Sequence, residues 1–253
     1  MKKPSGRRMK GGKSALIETL KRQILTLELQ PDHDLDEVQL STGYGISRTP
    51  VRDVLRRLAG EGFVEIRENR GARVIPMNHA TLRDFFLVAP LIYEAVGRLA
   101  VQNFRAGQLE ELQACQGRFR AAAAAGEPEA MVVENCMFHG IVGAMAHSVF
   151  LQPSLNKLLI DHARIGHTFF RPRNDGMRAN LETAADHHDA FIAAIGQRDE
   201  AEIVRLVHAH WELSRSDMEM FIAPDGLTSD AMRRLSPALP ARKARAARTT
   251  AGR

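Results

Sequence analysis

The stretch 46–74, ISRTPVRDVLRRLAGEGFVEIRENRGARV, decides the fold. Val51, Val54, Leu55 and Leu58 stand at i, i+3, i+4 and i+7, the spacing of one buried helical stripe. Arg48, Arg52 and Arg56 recur every fourth residue and form a cationic ridge beside that stripe. Ser47 reads as the N-cap, Pro50 is tolerated in the first turn, and Gly60 or Gly62 lies just past the end, so the spacing predicts a helix over 47–59. The following FVEIRENRGARVIP (63–76) alternates, turns at Asn69-Arg70-Gly71 and alternates again, which predicts a short hairpin. A helix that packs one side and presents guanidinium groups on another fits the DNA major groove, where Arg bonds guanine edges or clamps phosphate. Ser47 and Thr49, with the helix N-terminal amides, would meet backbone phosphate. Arg67, Arg70 and Arg73, with Gly71 at the tip, suit a wing touching phosphate or the minor groove.

Working outward, Leu16, Ile17, Leu20, Ile24 and Leu27 recur at helical spacing from Ala15 until a stop before Pro31. DEVQLSTGYG (36–45) reads as a short helix ended by glycines. Residues 14–76 therefore read as a winged helix-turn-helix, preceded by a basic segment 1–13 expected to be disordered. From Thr81 the pattern is helical only, over about 81–105, 108–124, 127–148, 151–171, 177–196 and 199–222. Residues 223–253 are rich in Pro, Ala and Arg and read as a flexible basic tail. The expected architecture is mostly α, with the winged helix-turn-helix at the N-terminus and an all-α antiparallel bundle over 81–222. The 253 residues are enough to give both domains a core.

Charge is divided unevenly. The net +5 is the sum of +5 over 1–75 (15 basic, 10 acidic), −6 over 76–229 (13 and 19) and +6 over 230–253 (7 and 1). Basic ends around an acidic middle imply a polyanionic partner for the ends and another task for the centre. The only cysteines, Cys115 and Cys136, have no CxxC spacing, so neither a disulfide framework nor a Cys-rich zinc site is indicated. The basic start is followed by no apolar run, and no stretch has the ~18 apolar residues of a membrane span. The expectation is a cytoplasmic protein with no membrane partner.

The central domain is rich in histidine. Asn135 and His139 in ENCMFH (134–139) lie one turn apart, and further histidines fall in ADHHDAFIAAIGQRD (185–199) and AEIVRLVHAHWELS (201–214). A lone buried histidine is more often a satisfied core residue than a ligand. Three imidazoles on three helices are different. With an oxygen one turn from the first, they can converge inside an antiparallel bundle and offer a divalent metal three nitrogens and one oxygen. An open coordination position would then take a carboxylate-bearing small molecule.

Residues 14–76, through SRTPVRDVL and EGFV, resemble the winged helix-turn-helix of GntR-family bacterial transcription regulators. That resemblance implies that Arg48 and Arg52 reach the operator and that Gly71 lies at the wing tip; Val38 stands where members often carry an Arg. Residues 81–222 resemble the FCD effector-binding domain of the FadR-like branch, through NCMFH, HHDAFIAAIGQRD and His210, eleven residues past Asp199. The register of Ala194-Ile195 and Asp199 selects His188 over His187, and likewise His210 over His208. The resemblance implies that Asn135, His139, His188 and His210 hold Zn, Ni or Mn and that a small organic acid completes the coordination. Asn135 replaces a commoner Asp, and Ala89 and Tyr93 stand where the family often has an Arg and a Glu. Arg164 and His167 are the candidates to contact the anionic effector instead.

The expected protein is thus a ligand-responsive regulator, a repressor by analogy, acting as a homodimer on a palindromic double-stranded operator with half-sites roughly 10 bp apart. Two alternatives stand beside it: the same regulator with a metal-free effector pocket, and a His-ligated metalloenzyme, since a metal with open positions activates water. No motif places a general base, and an enzyme leaves the winged helix unexplained.

Overall fold

The computed structural model describes residues 12–68 and 71–222. The expected disorder of the N-terminal segment up to residue 11, the contact at Arg70 and the tail 223–253 lie outside the described residues. The chain begins with α1 (Gly12–Leu25), β1 (Asp34–Leu35), α2 (Glu37–Tyr44) and α3 (Arg48–Glu61), then β2 (Val64–Arg67) and β3 (Gly71–Val74). Six further helices follow: α4 (His79–Asn103), α5 (Ala106–Ala125), α6 (Pro128–Met145), α7 (Leu151–Ile165), α8 (Asp175–Gln197) and α9 (Glu200–Ile222). A short 3₁₀ turn, Gly166–Thr168, extends α7.

The stripe read in 46–74 is what closes the N-terminal core. Val51, Val54, Leu55 and Leu58 are buried on α3 and meet Leu16, Ile17, Leu20 and Ile24 of α1 and Phe63, Val64 and Val74 of the sheet. Gly62 takes the left-handed conformation (φ +90°) that ends α3, its N–H bonding back to the carbonyls of Leu58 and Ala59. The wing is a three-stranded antiparallel sheet in the order β1-β3-β2, with Asp34 opposite Arg73 and Val64 opposite Val74. The two-stranded hairpin read from the sequence therefore gains a third strand, whose two residues are too short to show a period. Gly71 opens β3 at φ +84°, and a Cβ there would collide with the Leu35 carbonyl oxygen of β1. Its missing side chain thus serves the join between β1 and β3. Helix α1 begins at Gly12, earlier than the sequence pattern suggested, and Lys13 pairs with Asp53 of α3 at 3.2 Å.

In the helical part, α4 packs on α9, α5 on α6 and α8, and α6 on α4 and α7. Asn78 and Asn174 cap α4 and α8, each side chain accepting the N–H three residues on. Val96, Leu112, Phe138, Met145, Ile195 and Ile203 are among the side chains filling the interior. Helix α7 also lies against α1 and α3. There Arg164, wholly buried, donates from Nη1 to the Ile75 carbonyl at 2.9 Å and from Nη2 to Asp161 Oδ1 at 2.5 Å.

Candidate metal centre and nucleic-acid interface

On α3 the ridge residues face outward. Arg48, Arg52 and Arg56 are exposed, as are Ser47 and Thr49 at the helix start. Ser47 has the extended backbone of an N-cap, yet its side chain makes no capping hydrogen bond. Arg48 and Arg52 both reach Glu37 of α2, at 3.3 and 2.9 Å, so one carboxylate sets both guanidinium groups on one side of the helix. In the wing, Arg73 is held by Asp34 at 2.9 Å and Arg67 pairs with Glu65 at 2.7 Å.

In the bundle, α6, α8 and α9 bring His139, His188 and His210 together. One ligating nitrogen of each lies within 4.8 Å of the others, and all three side chains are buried. Four-coordinate zinc at ~2.1 Å from each nitrogen would hold them roughly 3.4 Å apart, a closing of at most about 1.4 Å. Each imidazole has a defined surrounding. His188 stacks on Phe138, ring centroids 4.0 Å apart and 11° from parallel. Gln116 of α5 donates from Nε2 to the Ala185 carbonyl at 2.8 Å, which turns its amide oxygen toward His188 Nδ1 at 3.0 Å. His188 Nδ1 therefore carries the proton and donates, and Nε2 keeps a lone pair directed into the cluster. Nε2 of His139 and of His188 are both buried without a protein hydrogen-bond partner. A buried polar atom left so costs about 1–3 kcal/mol, and a metal ion would satisfy both. Burial, reinforced by the neighbouring imidazoles, holds His139 and His188 well below the usual histidine range, and lowers His210 to about 3. All three are neutral near pH 7, the state a metal ligand needs.

Asn135, buried one turn before His139, lines a small cavity with His162, Phe169, Phe170 and His210. A larger cavity is walled by Tyr93, His139, His162, Phe191, His210 and Trp211 among others. His162 is the fourth imidazole, its ring 5.5 Å from that of His139 and its Nδ1 sharing a 2.5 Å hydrogen bond with the Tyr93 hydroxyl. Burial lowers His162 to about 4 and pushes the Tyr93 phenol well up, so both are uncharged. The two effector candidates fall elsewhere. Arg164 turns to the linker at Ile75, and half-buried His167 lines neither cavity, its carbonyl accepting from Arg171 at 3.1 Å. His208 is exposed and pairs with Glu94 at 3.0 Å.

Gln116 and His162 are site residues that the sequence pattern did not single out, and Tyr93 was noted there only as a departure from the family. The signal for Gln116 and His162 was present: Gln116 is in register with Leu112 and Phe119, and His162 with Leu155 and Leu159, the buried stripes of α5 and α7.

A winged helix-turn-helix joined to a helical domain with a buried imidazole cluster defines a DNA-binding regulator with a sensor domain. Comparison with known proteins agrees on both halves. Residues 13–74 match the bacterial regulatory proteins of the gntR family, and residues 91–213 match the FCD domain. The chain belongs to the GntR family and is a DNA-binding transcriptional regulator with an FCD domain, not an enzyme. It is 25% identical over 202 residues to the HTH-type transcriptional repressor RspR of Escherichia coli K12, covering 79% of this chain and 86% of that protein. The HTH-type transcriptional repressor GlaR of the same organism is 27% identical over 201 residues, covering 76% and 88%. Among solved structures, E. coli McbR/YncC superposes with a TM-score of 0.67 at 20% identity over 85% of this chain and 98% of that one, a likeness of fold. Among the described residues no helix is long and apolar enough to cross a membrane.

Proposed function

We propose that this regulator acts in the cytoplasm as a homodimeric repressor on a palindromic operator and senses a small organic acid through a metal-containing pocket. Asn135, His139, His188 and His210 would hold the ion, Zn, Ni or Mn, and the anion would complete its coordination. One observation carries the reading: three buried, neutral imidazoles from three helices bring ligating nitrogens within 4.8 Å of each other, with the tautomer of His188 set by Gln116. The donor set suits a borderline divalent cation, and an amide in place of a carboxylate leaves the full charge of the ion facing an anion. Bound there, the metal would supply a positive centre inside an otherwise apolar interior.

For the reader domain, Ser47, Arg48, Thr49, Arg52, Arg56, Arg70 and Gly71 are the proposed contact region, with 14–76 as the DNA-binding domain and 81–222 as the sensor. Arg48 and Arg52 would exchange Glu37 for guanine edges or phosphate as α3 enters the groove. Leu87, Val88 and Leu91 form an exposed apolar strip on α4 and support pairing of two copies. The name of repressor carried by two relatives supports the polarity. For the acid to act as a switch, it must bind the DNA-competent and DNA-free arrangements with different affinity.

Elemental analysis of the purified protein tests the sensor. About one divalent ion per chain is expected, lost in His139→Ala and His188→Ala; wild type without metal would end this reading. Promoter binding by an Arg48→Ala/Arg52→Ala variant tests the reader. Its affinity should fall steeply and the salt slope by about two units, and wild-type affinity would exclude α3 as the recognition helix.

A further inference from the structure

The walls of the cavity beside the histidine cluster say which acids it can hold. Among the described residues, no Lys, Arg, Asp or Glu lines this cavity or its smaller neighbour. The guanidinium nearest in sequence, Arg164, is two residues from His162 on the same helix but is committed to Asp161 and the Ile75 carbonyl. What the larger cavity does present is aromatic and aliphatic surface together with one uncharged polar pair. Trp211 and Phe191 form part of the wall, and the Tyr93 ring lies 6.2 Å from Trp211 and 5.7 Å from both His139 and His162. The Tyr93 hydroxyl and His162 Nδ1 are joined at 2.5 Å.

We infer that the effector is a singly charged carboxylate with an apolar aromatic or branched aliphatic body, and that the Tyr93–His162 pair is its specificity reader. This rests on the metal reading only for the place of the carboxylate, which would sit at the ion. The body then lies along Trp211 and Phe191. A second carboxylate on the ligand would be buried against these walls, where none of the described side chains is a cation to pair it, a large desolvation cost. The cavity therefore selects by charge as well as by shape. Tyr93 occupies a position of α4 facing His139, so its hydroxyl is the neutral group best placed to bond an oxygen of a ligand held at the cluster.

The chain has a single tryptophan, Trp211, and it lines this cavity, so intrinsic fluorescence reports occupancy directly. Full-length protein of measured metal content is titrated with benzoate, phenylacetate, isovalerate and hexanoate, and in parallel with succinate, glutarate and citrate. Saturable changes are expected with monocarboxylates, at affinities on the order of 100-fold or more above the di- and tricarboxylates. Tyr93→Phe should weaken monocarboxylate binding about tenfold while leaving metal content unchanged. Equal or tighter binding of succinate, glutarate or citrate overturns the inference, as does the absence of a saturable change with all four monocarboxylates. Unchanged affinity in Tyr93→Phe removes the reader role from that residue. The metal reading fails separately: metal-free wild type that still takes benzoate would end it and leave the ligand class standing. Metal-loaded protein that prefers citrate would do the reverse.

Discussion

Replacing Arg164 by Met keeps the side-chain volume and removes the charge, and the structure allows its cost to be worked out. The Arg164 side chain is wholly buried and its partner Asp161 is 14% exposed, so the pair is screened by little water. Without the guanidinium, the Asp161 carboxylate is left uncompensated and the Ile75 carbonyl loses a 2.9 Å donor. Breaking a buried pair from one side costs about 3–5 kcal/mol. Asp161 limits that loss: burial already pushes its carboxyl upward against the pull of Arg164, and once Arg164 is gone, protonation replaces an unpaired charge. Each unit of such a shift is worth about 1.4 kcal/mol, so the destabilisation of Arg164→Met should grow with pH above the carboxylate range. The companion variant Arg164→Met/Asp161→Leu removes both charges and should recover most of the loss, because an apolar pair of similar volume is often as stable as a buried ion pair. Urea denaturation of the full-length protein, wild type against single and double variants at two pH values, reads all of this. A single-variant cost under about 1 kcal/mol, or a double variant no more stable than the single one, would refute the account of Arg164 as a buried staple on the linker.

Three further expectations follow from the same geometry. Gly71→Ala places a Cβ against the Leu35 carbonyl at a left-handed φ, and should cost about 1–3 kcal/mol in urea denaturation; a neutral substitution would mean that β1 and β3 are not joined as described. Gln116→Leu deletes the acceptor of His188 Nδ1, and competition against a chromophoric chelator should show metal affinity reduced about 10–100-fold, whereas Gln116→Glu, which keeps an acceptor, should lose less. In chelator-treated protein the buried histidines set the acid limb. His162 and His210 sit at about 4 and about 3 in the fold against ~6.5 unfolded, so the unfolded chain binds more protons as pH falls. Stability should be complete above about pH 6.5 and decline toward pH 4 by up to about 1.4 kcal/mol per pH unit for each group, and a flat profile over that window would contradict their burial.

The reader domain was legible because its determinants are local. The stripe Val51-Val54-Leu55-Leu58, the αL glycine at 62 and the alternation of 63–76 each act within a few residues, and period and cap chemistry identify them. Strand β1 was missed because two residues have no period, and the partners of Asp34 and Leu35, Arg73 and Ala72, lie 39 and 37 residues away. Gly71 was read as a tip residue because a glycine in a turn has two explanations, conformation and close approach. Only the neighbouring Leu35 carbonyl distinguishes them. In the sensor, Asn135 and His139 share a helix face by their spacing alone, but Gln116, Tyr93 and His162 act across helices, and no single-helix pattern pairs them. Arg164 ran against the usual expectation that arginine is solvated: its partners Ile75 and Pro76 are 89 and 88 residues distant. A charged residue buried by distant backbone carbonyls leaves no periodic trace.

The distribution of contacts over the helices bears on what the signal is. The proposed metal ligands lie on α6, α8 and α9, and α7 contributes none. Helix α7 instead lines the larger cavity through Leu155 and His162. Arg164 is two residues from His162, and at 100° per residue their side chains leave the helix roughly 200° apart. One face of α7 therefore meets the cavity while another grips the linker at Ile75. The same helix approaches Gly62, the end of the recognition helix, through Lys157 and Ile160. Interiors are packed too tightly for one face of a helix to shift without the other. A ligand that presses on His162 thus acts on the element that also holds the reader at Ile75, whereas an ion at His139, His188 and His210 braces three helices of which α6 touches α1. On the proposed reading, metal loading and effector binding reach the reader by different routes: the ion acts through α6, which packs on α7, and the effector acts on α7 directly at His162.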